Sequence, residues 1–147
     1  MTDPAGAPVE LPHPTALIPH RPPFLLVDRL VELEPAVRAV GEWDIDDRLG
    51  VLAGHFPERP IVPGVLLCEA LAQTAAASLL SDERFAGRLP LFGGIDRARF
   101  RRQVVPGDTV RLEVTVGRLS ARGGRGSGRA TVGGELACEA DLLFVFA

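Results

Sequence analysis

The chain has 147 residues, 46% of them hydrophobic and 24% charged, with a formal net charge of -3. That is one domain with room for a full core, of ordinary globular composition, and its slightly acidic balance gives no footing for nucleic acid or an anionic membrane. No apolar run reaches the roughly 20 residues that cross a bilayer. Met1 to Pro4 hold neither a basic cluster nor an apolar stretch, so a cytoplasmic protein without a signal peptide is expected. The two cysteines, Cys68 and Cys138, are too few for a disulfide framework, and Cys68 sits among apolar residues as a small hydrophobe would.

Residues 1–14 carry four prolines and little apolar patterning and are expected to form a flexible tail. Residues 15–147 are expected to form one domain. Phe24 to Glu34 and Arg38 to Ile45 read as strands, with Pro35 marking the turn between them. Gly54 to Gly64 holds three prolines and is expected as an irregular loop. Val65 to Leu80 is built mostly of Ala and Leu, the best helix formers, and is apolar nearly all round. It is expected as a buried central helix about 24 Å long. Leu91 to Phe100, Thr109 to Leu119, Gly128 to Val132 and Glu135 to Phe146 read as further strands, separated by Pro106-Gly107-Asp108, a glycine-rich hairpin loop and Gly133-Gly134. Two strands, a buried helix and four more strands make an α+β arrangement. One six-stranded sheet cannot cover such a helix on every side, which makes a two-fold partner plausible.

Glu69 is the only charged residue in that helix. A buried carboxylate is costly unless its pKa rises, and a carboxyl kept partly protonated near neutral pH suits general acid work. A helix-edge position, or an ion pair with an arginine, is the structural alternative. Gln73, four residues on, shares its face and is placed to hold the carboxyl or to meet an interface. His55 precedes Phe56-Pro57 in the proline-rich loop, where fixed backbone angles can aim a side chain. Pro63-Gly64 stand at the helix start, where the first N–H groups lack internal partners and can polarise a carbonyl oxygen. A base, an acid and a carbonyl-binding helix end suggest proton removal beside a carbonyl.

Three motifs carry a resemblance. His20-Arg21-Pro22-Pro23-Phe24-Leu25-Leu26-Val27-Asp28-Arg29 forms the first. Gly54-His55-Phe56-Pro57, Pro60-Ile61-Val62-Pro63-Gly64-Val65 and Glu69-Ala70-Leu71-Ala72-Gln73 form the second. Gly94-Ile95-Asp96-Arg97-Ala98-Arg99-Phe100 and Val105-Pro106-Gly107-Asp108 form the third. Together they resemble the FabZ-type 3-hydroxyacyl-[acyl-carrier-protein] dehydratases over about residues 15–146. The resemblance implies a hotdog fold, a homodimer with shared active sites or a hexamer made as a trimer of such dimers, and no cofactor or metal. It implies that His55 takes the C2 proton and Glu69 assists departure of the 3-hydroxyl. The Gly64 amide would hold the thioester carbonyl, with Phe56, Pro63, Val65 and Gln73 around the substrate. Glutamate at position 69 favours this type over the related dehydratase–isomerases, which carry Asp there. Pro22 replaces the family's usual Tyr, Glu58 its Gly and Val62 its Met, and none of these removes a proposed catalytic group.

Arg97, Arg99, Arg101 and Arg102 lie within six residues, and on a strand three of them share a face. They form either a solvated edge or a dock for an acidic acyl carrier protein. Arg122 to Arg129 is read as the hairpin loop rather than a nucleic-acid tract, and His20 as a residue that fixes a turn. The three histidines show no metal spacing. Two rivals stay open: a hotdog thioesterase or enoyl hydratase acting on coenzyme A substrates, and a non-catalytic subunit that binds acyl carrier protein. Chain-length preference and pathway are not written in these residues.

Overall fold

The structure, a computed structural model, describes residues 4–6 and 10–147; residues 1–3 and 7–9 of the expected tail lie outside the described residues. Leu11 packs against the core, and the buried Pro14 opens a 3-10 turn over Pro14–Ala16. Strands β1 (Arg29–Glu34) and β2 (Arg38–Asp44) come first. A short helix α1 (Leu52–His55), the helix α2 (Gly64–Leu80) and strands β3 (Pro90–Phe100), β4 (Thr109–Ser120), β5 (Gly123–Val132) and β6 (Glu135–Phe146) follow. The six strands form one sheet in the order β1-β2-β4-β5-β6-β3, with each adjacent pair antiparallel. This is the expected α+β hotdog arrangement.

The sheet curls around α2, which packs chiefly on β2 and β4. Trp43, Val110, Leu112 and Leu142 from the strands close on Leu67, Leu71 and Ala75 of the helix, all buried. A side chain such as Leu71, fully buried, contributes about 1.5–3 kcal/mol. The burial of α2 is uneven. From Gln73 to Leu80 every residue is buried, whereas Val65 in the first turn is 69% exposed. Beside this open start lies Phe100, the last residue of the edge strand β3, which pairs only with β6.

Three expectations are corrected. The segment 122–129 is not a loop: Gly123 to Arg129 belong to β5, paired on both sides. Its glycines let neighbours approach closely: a Cβ on Gly128 would lie 3.1 Å from Leu71 Cδ1 of α2, and one on Gly124 2.5 Å from Arg118 O of β4. The outward positions Arg125, Ser127 and Arg129 alternate with them as a strand requires. Next, the strand expected from Phe24 begins only at Arg29. Leu25, Leu26 and Val27 are buried as a loop, with the Leu26 amide bonded to the Gln73 side chain in place of a neighbouring strand. Finally, the loop expected from Gly54 contains the end of α1, whose last residue is His55.

Candidate active site

His55 projects from the end of α1 with Nδ1 2.9 Å from the Ile61 carbonyl oxygen. A carbonyl can only accept, so Nδ1 carries a hydrogen and donates, which in the neutral ring leaves Nε2 as the basic nitrogen. The Phe56 ring lies beside the imidazole with centroids 4.2 Å apart. The loop between them and α2 is pinned by Arg59 N to Phe56 O at 2.9 Å and Val62 N to Val104 O at 2.8 Å. Pro63 serves as N-cap of α2 and no side chain caps the helix. The Gly64 and Val65 amides therefore have no partner within the helix, and both residues line the groove with His55, Phe56, Phe100 and Arg101. This groove holds a base next to free helix-start donors, the geometry for gripping a carbonyl oxygen while a neighbouring proton is removed.

Glu69 opens elsewhere, on a cavity of about 180 Å³ with His20, Gln73, Ala72, Ala76 and Phe92 on its walls. Val65, Glu69, Ala72, Ala76 and Leu79 fall on one stripe of α2 by helical periodicity, and from Glu69 onward that stripe is the cavity floor. Burial pushes the Glu69 carboxyl above its ordinary range, partly offset by the Gln73 amide, which donates to Oε1 at 3.4 Å. Gln73 does more than the sequence suggested. Its amide donates to Phe24 O at 2.8 Å and its oxygen accepts from Leu26 N at 2.8 Å, bolting the N-terminal segment to α2.

Within one chain, His55 and Glu69 thus stand on different cavities. Phe56, Gly64 and Val65 join His55; Gln73 joins Glu69; Pro63 shapes the helix start without lining either wall. Of the arginines, Arg97, Arg99 and Arg101 share a shallow surface hollow with Arg129, Glu139 and Asp141. A bulge with Arg97 at φ 52° resets the alternation of β3 there. Acids already hold part of this charge: Glu139 is 2.8 Å from Arg101, and Asp108 and Glu135 are 3.2 and 3.0 Å from Arg102. Arg101 and Arg102 also border the His55 groove.

The residue that sequence reasoning missed is His20, whose Nε2 lies 3.7 Å from Glu69 Oε1. Its signal was the His20-Arg21-Pro22-Pro23 motif, which carries the family resemblance but in which His20 is read only as fixing a turn. Among the described residues, no three His, Cys, Asp or Glu side chains gather as a metal site would need, and no helix is long and apolar enough to cross a membrane.

Residues 18–141 match the family described as FabA-like domain. A 3-hydroxyacyl-[acyl-carrier-protein] dehydratase FabZ from Chloroflexus aggregans is 61% identical, over 88% of this chain and 90% of the relative. One from Moorella thermoacetica is 57% identical, over 87% and 90%. Among solved structures, the dehydratase heterocomplex ApeI:P from Xenorhabdus doucetiae superposes with a TM-score of 0.80 at 15% identity, covering 94% of this chain and 93% of that one. A hypothetical thioesterase with coenzyme A from Streptococcus pneumoniae gives 0.63 at 10% identity, covering 81% and 84%. At these identities the structures establish the fold alone.

Proposed function

The chain belongs to the FabZ family of 3-hydroxyacyl-[acyl-carrier-protein] dehydratases, and from that premise we propose that it removes water from 3-hydroxyacyl thioesters at sites shared by two subunits, in the building of fatty acyl or related polyketide-type chains. The observation that carries this reading is the separation of His55 and Glu69 onto different cavities of one chain. A two-fold partner unites them, its Glu69 cavity meeting the His55 groove of the first subunit, and the same surface serves twice. The contact runs along β3, whose free edge carries Leu91, Phe92 and Ile95 at 43–45% exposure, an apolar edge that calls for cover.

In this site the thioester oxygen accepts from the Gly64 and Val65 amides, which drains charge from C2. His55 Nε2 takes a proton from C2 as the C2–C3 double bond forms. The C3–O bond breaks, and Glu69 of the partner subunit gives its proton to the departing hydroxyl, which leaves as water. Proton transfer through solvent from His55 back to the carboxylate resets the pair. The acyl chain lies along the apolar stripe of Ala72, Ala76 and Leu79. No step calls for a metal or redox cofactor. The acidic carrier protein docks over Arg97, Arg99, Arg101 and Arg102 beside the groove, through charge complementarity.

Mass spectrometry of purified protein incubated with 3-hydroxyacyl carrier proteins tests the reaction. The expected product is the carrier-bound enoyl thioester, lighter by one water. Release of free carrier thiol instead would mark a thioesterase, and unchanged substrate would mark a non-catalytic binding subunit. In folded protein, His55→Ala and Glu69→Gln should each slow turnover by about 10² to 10⁴.

A further inference from the structure

His20 is unexplained by the chemistry above. Its Nε2 is 3.7 Å from Glu69 Oε1, longer than a formed hydrogen bond and one small adjustment from becoming one. Its Nδ1 is buried and has no partner among the described residues. That asymmetry fixes the state of the ring. A hydrogen on Nδ1 would be a buried donor bonding nothing, so both the Nδ1–H tautomer and the imidazolium are disfavoured, and the hydrogen sits on Nε2, facing Glu69. The turn that presents the ring is itself clamped, since the Arg21 guanidinium donates to Ile18 O at 2.8 Å, His20 O at 2.7 Å and Thr15 O at 3.2 Å. Burial first, and the Arg21 charge second, hold the imidazole below its ordinary pKa. The charged or titratable groups around the ring are Arg21 on its own turn and Glu69 on α2; β3 and β6 face the cavity with Pro90, Leu91, Phe92, Leu142, Leu143 and Phe144, all apolar.

Both neighbours of the Glu69 carboxyl address the same atom, Oε1: Gln73 Nε2 at 3.4 Å and His20 Nε2 at 3.7 Å. Oε2 has no protein partner among the described residues and is left for the reacting proton. We propose that His20 is a positioning residue for Glu69, donating Nε2–H to Oε1 so that the carboxyl presents Oε2 to the substrate. This rests on the role of Glu69 proposed above.

The test uses the full chain in three variants. His20→Phe keeps a ring and removes the donor; His20→Gln restores, at the place of Nε2, a donor that does not titrate; Glu69→Gln is the control. His20→Phe is expected to lower kcat about tenfold with KM within about twofold. It should also move the Glu69 carboxyl titration, followed by carbon-13 NMR, to higher pH, because the anion has lost a donor. His20→Gln is expected to recover most of both. In the unaltered protein, nitrogen-15 NMR at neutral pH should show the Nε2–H tautomer of His20, a readout that needs no variant to fold. A Nδ1–H tautomer or an imidazolium overturns the proposal, as does a carboxyl titration unmoved in His20→Phe. If Glu69→Gln keeps full turnover, the role of Glu69 fails, while the titration and tautomer still judge the contact.

Discussion

The Phe100 ring lies against the start of α2 so closely that a Cβ on Gly64 would stand 2.6 Å from Phe100 Cε1. Glycine at position 64 thus lets an aromatic side chain of β3 reach the helix end that holds the carbonyl donors. In the single chain Phe100 is 53% exposed and the clash is with the far end of its ring, so Gly64→Ala should fold with a loss of about 1 kcal/mol or less. Its turnover should still fall at least about tenfold, because the displaced ring enters the groove. Thermal unfolding and kcat measured on one preparation check both halves.

Gln73 is 1% exposed and satisfies two backbone groups of the N-terminal segment. Gln73→Ala orphans both, at about 1–3 kcal/mol each, and should destabilise the fold by about 2–5 kcal/mol in urea titration. Gln73→Glu can accept from Leu26 N but cannot, as a carboxylate, donate to Phe24 O. It should also destabilise at neutral pH.

The raised Glu69 carboxyl gives a signed pH dependence. A general acid works while protonated, so turnover should fall on the alkaline side as pH climbs through the raised value. Stability follows the same direction. The native state keeps a proton that the unfolded chain gives up near 4.5, so stability declines from about that pH until the native pKa is passed. Glu69→Gln has no charge to bury. It should be more stable than the unaltered protein at about pH 8 and equal to it below about pH 4, as judged by chemical denaturation.

Carrier docking separates the arginines by their partners. Arg99 has no acidic partner within ion-pair distance among the described residues, and Arg97 has only Asp141 at 3.7 Å. Arg97→Ala with Arg99→Ala should raise KM for carrier-bound substrate and flatten its salt dependence, leaving a short soluble thioester turned over as before. Arg102→Ala should act differently, loosening the turn at Asp108, whose carboxylate also accepts from Val105 N at 3.0 Å. Equal effects of the paired Arg97 and Arg99 changes on both substrates would make the cluster structural.

The sequence was most legible where one residue type answers one physical demand. Sixteen residues dominated by Ala and Leu, with a single carboxylate among them, yield both α2 and the buried position of Glu69. It was least legible at glycine. In Gly123 to Gly128 the same residue that frees a turn serves close approach instead, Gly128 to Leu71 and Gly124 to the Arg118 carbonyl, and composition does not distinguish the two uses. Leu25 to Val27 carried strand-like residues, but their partner is a side chain, Gln73, 47 residues away from the Leu26 amide it binds. His20 was hidden for a related reason: its meaning lies in a contact across 49 positions with Glu69, by subtraction of the two residue numbers.

The shared site is decided by mixing two inactive proteins. His55→Ala and Glu69→Gln are unfolded together, refolded and assayed against each refolded alone. In a mixed dimer one site collects both lesions and the other is intact. Random pairing makes half the dimers mixed, so roughly a quarter of unaltered activity should return under two-fold pairing. Mixed dimers that form and show no activity above the single variants would mean that His55 and Glu69 act within one chain, against the separation seen here.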